Sequence, residues 1–569
     1  MFPPVPSAGT VARRPRLELA FLTLVMLGLL LPFLGKALNI DDPIYVWIAR
    51  QIVEHPFDAY GFAVNWRGEA LPLHAFVNNP PLASYYLALA GSLGGWSEHS
   101  LHAAFLLPAL AVVWATWALS RRFGANGLTG ALLLGLAPAF LVSSTTLMAD
   151  VPMLALWVGA FVCWDRGLRG NERPALLAGA VLAGLCALTK FPGLALLPLL
   201  VAHALLLRIA WHRWAPWLLI PLATFGAYLA YTDALYGHAL FLDPIAYAGN
   251  YRPEGTLDVL GRVLCGLAFT GAGAASLLAV APLLVDRPSA AGFGVLALSL
   301  ALGMTLAPGI VSESLQAPTT LGTAVVFQLA LWSSVGVGVL ALAVTDALKT
   351  RAPESIVLLL WVFGIFVFAA LLNWTVNVRS ILPLVPAAAI LAARRIARRE
   401  PKPRHAGVWL AAGLTAAAVL SLTVARADEQ LAASARNAAR DLVDEYGGAN
   451  RDVWFQGHWG FQYYAQARGA KPLQRGKHLP AGAILLAPRN NSYLWPLNAT
   501  RLAERTFEGP TGCATMDSGT GAGFYASTWG PMPFAFGAVS PETYAVYESP
   551  GAASSPAPTS TRTKALVRK

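Results

Sequence analysis

Asn39-Ile40-Asp41-Asp42-Pro43-Ile44-Tyr45 opens a polar stretch that closes at Asn78-Asn79-Pro80-Pro81-Leu82-Ala83-Ser84-Tyr85-Tyr86. One long apolar run, Leu17 to Leu34, precedes it and a series of others follows it. Two adjacent carboxylates just past a membrane helix are costly unless water, a cation or a substrate meets them. A loop leaving the bilayer would supply water alone. What lies farther along the chain decides between that reading and a functional one.

The chain has 569 residues, 56% hydrophobic and only 12% charged, with a mean hydropathy of +0.53. A soluble protein of this length needs more charge to cover its surface, so the composition means many membrane spans. The net charge of +11 does not point to nucleic acid. The basic residues fall in short clusters between apolar runs: Arg13, Arg14 and Arg16; Arg121 and Arg122; Arg166, Arg169 and Arg173; Arg394 to Arg404. That is the positive-inside pattern of cytoplasmic loops. Four cysteines, three of them within apolar runs, give no disulfide framework from which to read a compartment.

Apolar runs of about 20 residues cross a hydrocarbon core as helices. With Arg13–Arg16 inside, the chain makes about thirteen spans and ends outside. The fold expected is mostly α: a polytopic transmembrane helical bundle with a small C-terminal soluble α+β domain. Residues 1–16 form a cytoplasmic tail and 17–425 the membrane domain, in which 38–100 is the first external loop. Residues 426–548 form an extracytoplasmic α+β domain and 549–569, rich in Ser, Pro, Ala and Thr, a disordered tail. Within the external loop, Trp47 to Val53 has the pattern of a short amphipathic helix on the membrane surface. Leu82–Leu93 is too short to span comfortably. No internal repeat suggests an inverted-repeat transporter.

This topology brings a particular polar set to the outer face: Asp41, Asp42, Asp150, Lys190 and Arg379. A lone Lys or Arg outside runs against the charge bias, so each invites an anionic partner. Two cations beside acidic groups at the lipid boundary suit a substrate with an apolar tail, an interfacial phosphate and a reactive carbon beyond it. The cations would stabilise a phosphate leaving group, and a carboxylate would take a proton from the incoming nucleophile. Snorkelling toward lipid headgroups is the plain alternative for Lys190 and Arg379. Asp150 before Val151-Pro152 also fits a helix start.

Asp41-Asp42-x-x-Tyr45, Asn79-Pro80-Pro81-Leu82, Ala149-Asp150, Leu188-Thr189-Lys190-x-Pro192 and Arg379-x-Ile381-Leu382-Pro383-Leu384-x-Pro386 occur in that order. Over about the first 400 residues this order resembles the GT-C class of polyprenyl-phosphate-sugar-dependent glycosyltransferases. Within that class it is similar to the broad bacterial family that includes lipid A aminoarabinose transferases, related to the protein O-mannosyltransferases. The stretch Trp454 to Tyr464 looks like the tail domain of some members.

The resemblance implies transfer of a sugar, with inversion, from a polyprenyl-phosphate donor to an envelope acceptor (lipid, glycan or protein) on the extracytoplasmic face. The site would be in a bacterial inner membrane. Asp41 corresponds to the first-loop acid of the family, with Asp42 beside it, and Asp150 to the second acid. Asn79 stands where many members carry a Lys thought to contact donor phosphate, which shifts that task toward Lys190 and Arg379. Tyr45, Tyr85 and Tyr86 are candidates to line the substrate cavity, the last two also for an aromatic belt at the interface. The Asn39–Tyr86 loop would be floor and lid of that cavity. Cofactor need is open: Asp41, Asp42 and Asp150 offer oxygen ligands for a divalent cation such as Mg²⁺ or Mn²⁺, and His55 and His74 would suit zinc. The expected partners are the lipid-linked donor, the envelope acceptor and the bilayer, with no nucleic acid. The alternative function is a transporter or flippase for a lipid-linked substrate, which should carry its charges near the bilayer midplane.

Overall fold

The structure, a computed structural model, describes residues 8–550 other than 67, 78, 251–254, 310–314, 316–320, 402, 448–451, 491, 493, 497 and 498, with side chains from residue 15. The expected tail is therefore almost wholly outside the described residues, as is the start of the chain.

Among the described residues, nine helices are long and apolar enough to cross a membrane. They run from Pro15–Phe33 to the 41-residue Ala406–Tyr446. Shorter apolar helices, Leu82–Gly94, Arg173–Thr189 and Phe191–Leu206, lie between them. The polytopic α-helical architecture holds. The apolar run 259–285, long enough for one span, is broken into Thr256–Gly273, Ser276–Ala279 and Ala281–Leu284. Gly, Ser and Pro at the breaks interrupt the helical ladder.

The chain forms two compact units. The first holds residues 1–63, 72–433 and 509–540. Its interior is packed by large side chains, among them Trp157, Trp164, Phe161 and Trp361. Helix Asp150–Gly170 packs on Glu98–Arg122 and Arg173–Thr189, and Thr256–Gly273 packs on Thr323–Thr350. The second contact depends on glycine. A Cβ on Gly271 would lie 2.0 Å from the Trp332 carbonyl oxygen, and one on Gly336 2.1 Å from that of Leu267. Small residues let membrane helices approach to backbone contact.

The amphipathic piece of the first external loop is a helix, Asp42–Glu54. Val46, Ile48, Ala49 and Ile52 are buried on it while Arg50 and Glu54 are exposed, as the 3.6-residue period requires.

The second unit holds residues 64–71, 434–508 and 541–569. Its mixed sheet runs in the order Lys471–Pro472, Val453–Phe455, Ile484–Pro488, Glu542–Glu548, Thr500–Phe507. Val453–Phe455 is parallel to both its neighbours, and Glu542–Glu548 antiparallel to both of its own. Leu442, Val443, Phe455, Phe461, Ile484, Leu486, Tyr544 and Val546 fill its core. Part of the first external loop belongs here: the Asn65 side chain donates to the Leu473 carbonyl at 3.1 Å, and Gln462 donates to that of Asn65 at 2.9 Å.

Two features differ from a contiguous domain over 426–548. Composition changes at Arg426, but the helix runs unbroken through it to Tyr446. Residues 509–540 belong to the first unit, because their buried Phe524, Tyr525, Met532 and Phe534 and their hydrogen bonds lie there.

Candidate active site

Each candidate side chain sits where a helix starts or stops. Asp41 immediately precedes helix Asp42–Glu54, whose start is set by Pro43. The residue before it, Ile40, has φ +51, a left-handed conformation that a β-branched residue rarely adopts. Such outliers persist where surrounding structure over-determines them, and they cluster at functional sites. Asp150 is the first residue of Asp150–Gly170. Lys190 ends Arg173–Thr189, where extended backbone and Pro192 stop the helix. Arg379 lies in the one-turn helix Val378–Ile381, capped by Asn377, whose side chain accepts the Ser380 N–H at 2.8 Å.

These four, spread over more than 330 residues, meet as two ion pairs. Arg379 Nη1 donates to Asp41 Oδ2 at 2.6 Å and touches Met148 Sδ at 3.3 Å. Lys190 Nζ donates to Asp150 Oδ1 at 2.6 Å. The pairs are electrostatic neighbours: Arg379 feels Asp150 as well as Asp41, and Lys190 feels Arg379 and Asp41. Tyr45, one turn into its helix and buried, feels Asp41, Asp150 and Arg379. The carboxylates differ in access. The Asp41 side chain is 31% exposed and that of Asp150 2%. A nucleophile can reach the first and not the second.

Asp42 does not join this group. It is fully buried, and its two oxygens accept the backbone N–H groups of Asn39 at 3.0 Å and Leu147 at 2.8 Å. Burial pushes its carboxyl up to about 7, against the pull of Lys36 and those two N–H groups. Its geometry is that of a tie between the first loop and the turn before Asp150. The remaining candidates make other contacts. The Asn79 backbone carbonyl accepts the Tyr60 hydroxyl at 2.5 Å. The hydroxyls of Tyr85 and Tyr86 donate to the carbonyls of Pro56 at 2.5 Å and Ala104 at 2.6 Å, and Tyr86 packs on Phe105.

A group of three His, Cys, Asp or Glu side chains able to hold a metal is absent among the described residues. Asp41, Asp42 and Asp150 are respectively matched by a guanidinium, two N–H groups and an ammonium, so this arrangement does not fit a cation shared by the three. His74 stacks on Tyr236 at 4.7 Å between ring centres.

A second buried network was not legible in the sequence. Lys36 and Asp428, both inaccessible to solvent, are joined at 2.5 Å. Lys36 also donates to Thr145 Oγ1 at 3.0 Å. Asp428 accepts the hydroxyls of Thr515 and Tyr525, each at 2.8 Å. Lys36 is a cation just past the end of the first apolar helix, and Asp428 is one charge among many in the segment after Arg426.

Residues 78–235 match the family model for dolichyl-phosphate-mannose-protein mannosyltransferases. The chain resembles the GT-C glycosyltransferases. No curated protein matches it. Solved structures similar to it include ArnT from Cupriavidus metallidurans bound to undecaprenyl phosphate, at 15% identity and a TM-score of 0.42. That alignment covers 85% of this chain and 94% of the other. The apo Archaeoglobus fulgidus oligosaccharyltransferase aligns at 13% identity and a TM-score of 0.46, over 81% of this chain and 64% of its own. The Pmt1-Pmt2 protein O-mannosyltransferase complex of S. cerevisiae, bound to the sugar donor, aligns at 16% and 0.31, over 39% of this chain and 34% of its own. At such identities and scores these likenesses carry no argument of their own. The GT-C resemblance rests on the ordered motifs and the family match, which takes in Asn79, Asp150 and Lys190.

Proposed function

We propose that the protein is an integral-membrane glycosyltransferase that moves a sugar from a polyprenyl-phosphate donor to an envelope acceptor on the extracytoplasmic face. The observation that carries this reading is the meeting of Asp41–Arg379 and Asp150–Lys190. The pairs hold two cations for a phosphate and one reachable carboxylate for a proton.

Without donor, each acid occupies its cation's anionic slot. A donor phosphate entering the site competes for Arg379 and Lys190, and Asp41 is released toward the acceptor hydroxyl or amine. The nucleophile then attacks the anomeric carbon from the face opposite the phosphate. The bond from that carbon to the phosphate oxygen breaks as the new one forms, giving inversion. Asp41 takes the acceptor proton, and the negative charge gained by the departing polyprenyl phosphate is met by the two cations. Asp150, sealed from solvent, keeps Lys190 charged and aimed. The phosphate task falls on Lys190 and Arg379, and Asn79 brings a neutral amide to the donor side.

The test is direct. Purified protein given a labelled polyprenyl-phosphate sugar and envelope acceptors should release polyprenyl phosphate and label an acceptor. No release with any acceptor fraction would remove the enzymatic reading. Movement of intact lipid-linked sugar across a vesicle would replace it with the transporter alternative.

A further inference from the structure

We propose that Cys513–Ser527 is a positioning strap for the candidate site, fixing Arg379 on one side and the loops that carry Asp41 and Asp150 on the other. This inference rests on the functional reading above for its consequence in catalysis, and on hydrogen bonds for its geometry.

The loop that delivers Arg379 is held over its whole length. The Val378 N–H donates to the Phe524 carbonyl at 3.0 Å, and the Ser527 N–H donates to that of Val376 at 2.8 Å. The Ser527 and Thr375 hydroxyls are 3.0 Å apart. From the opposite side Arg262 donates to the carbonyls of Asn373 at 2.6 Å and Trp374 at 2.8 Å. Three of these contacts come from a stretch more than 140 residues downstream, and they fall on Thr375, Val376 and Val378, all within four residues of Arg379.

The same stretch reaches the acids. Thr515 and Tyr525 supply two hydroxyl donors to Asp428, which pairs with Lys36, and Lys36 donates on to Thr145. Lys36 lies five residues before Asp41, and Thr145 five before Asp150. A buried carboxylate with three donors is a stiff node, because losing a hydroxyl leaves a buried acceptor unsatisfied and losing Lys36 leaves the charge unpaired. The strap is itself compact. The Phe524 N–H donates to the Thr515 carbonyl at 2.8 Å and the Gly523 N–H to that of Met532 at 2.7 Å. Gly521 has φ +78, and a Cβ on Gly523 would lie 2.4 Å from the Ala526 carbonyl oxygen, so Gly519-Thr520-Gly521-Ala522-Gly523 suits this fold.

The experiment compares wild type, Ser527→Ala, Ser527→Thr and Tyr525→Phe in the full chain. It reads backbone amide exchange over 373–379 by mass spectrometry and kinetic constants with a polyprenyl-phosphate sugar. Ser527→Ala and Tyr525→Phe should speed exchange in that loop and raise KM for the donor roughly tenfold, since a site loosened by an ångström loses much of its orientation. Ser527→Thr keeps the hydroxyl and should restore both. Unchanged exchange in both variants overturns the strap, and faster exchange with an unchanged KM overturns its role in positioning. A wild type that transfers no sugar sinks the functional reading instead, while exchange over 373–379 still decides whether the strap holds the loop.

Discussion

Asp41 and Asp42 are neighbours in the chain with opposite fates, and the difference is what their oxygens meet. Asp41 faces a guanidinium and partial solvent; Asp42 faces two backbone N–H groups in a sealed interior. Adjacent residues at a helix start point in different directions, so a pair of acids read as one feature splits into a partly exposed group and a tie. That split cannot be read from composition or spacing. It yields a pH prediction. The folded Asp42 carboxyl titrates near 7 against 3.8 for the ordinary group. Between those values the folded protein keeps a proton that the unfolded chain gives up, so stability falls as pH rises from about 4 to about 7 and levels above it. Asp42→Asn should flatten that slope in detergent-solubilised protein followed by thermal or urea unfolding. An unchanged slope would show that burial does not control Asp42. At the same scale, Lys190→Ala should raise the apparent KM for donor about tenfold or more, the worth of one charge-assisted contact to phosphate. An unchanged KM would leave Lys190 as the buried partner of Asp150 and nothing more.

Among the elements, helices were the most legible, because apolar runs of membrane length and basic clusters between them mark them directly. The amphipathic helix Asp42–Glu54 was visible in its period. What stayed hidden was continuity. Nothing in the charged segment after Arg426 says that it prolongs the preceding span, since a helix carries apolar and charged windows equally well. Helix contacts were hidden too. The crossing of Thr256–Gly273 with Thr323–Thr350 is set by Gly271 and Gly336, two glycines among 51. Gly271→Ala should destabilise the solubilised protein by about 1–3 kcal/mol through overpacking. Gly364→Ala, where a Cβ meets nothing within 4 Å, should be neutral or slightly stabilising. Equal thermal midpoints for the two variants would argue against so close a crossing.

For the whole molecule, the order of motifs carried the fold and the convergence of Asp41, Asp150, Lys190 and Arg379. Each stands out as a charge at the end of an apolar run, outside the basic clusters that the positive-inside rule accounts for. The return of residues 509–540 to the first unit was not legible, because its evidence is a set of hydrogen bonds between distant residues. The account stands on the two ion pairs being a phosphate site with one reachable base. The most direct measurement pairs donor binding with single-turnover transfer for Asp41→Asn and for the double variant Lys190→Ala with Arg379→Ala. Asp41→Asn should bind polyprenyl-phosphate sugar at least as tightly as wild type, yet transfer it about 10²–10⁴-fold more slowly. The double variant, folded by thermal midpoint, should lose binding. Wild-type transfer by Asp41→Asn, or wild-type binding by the double variant, would contradict it.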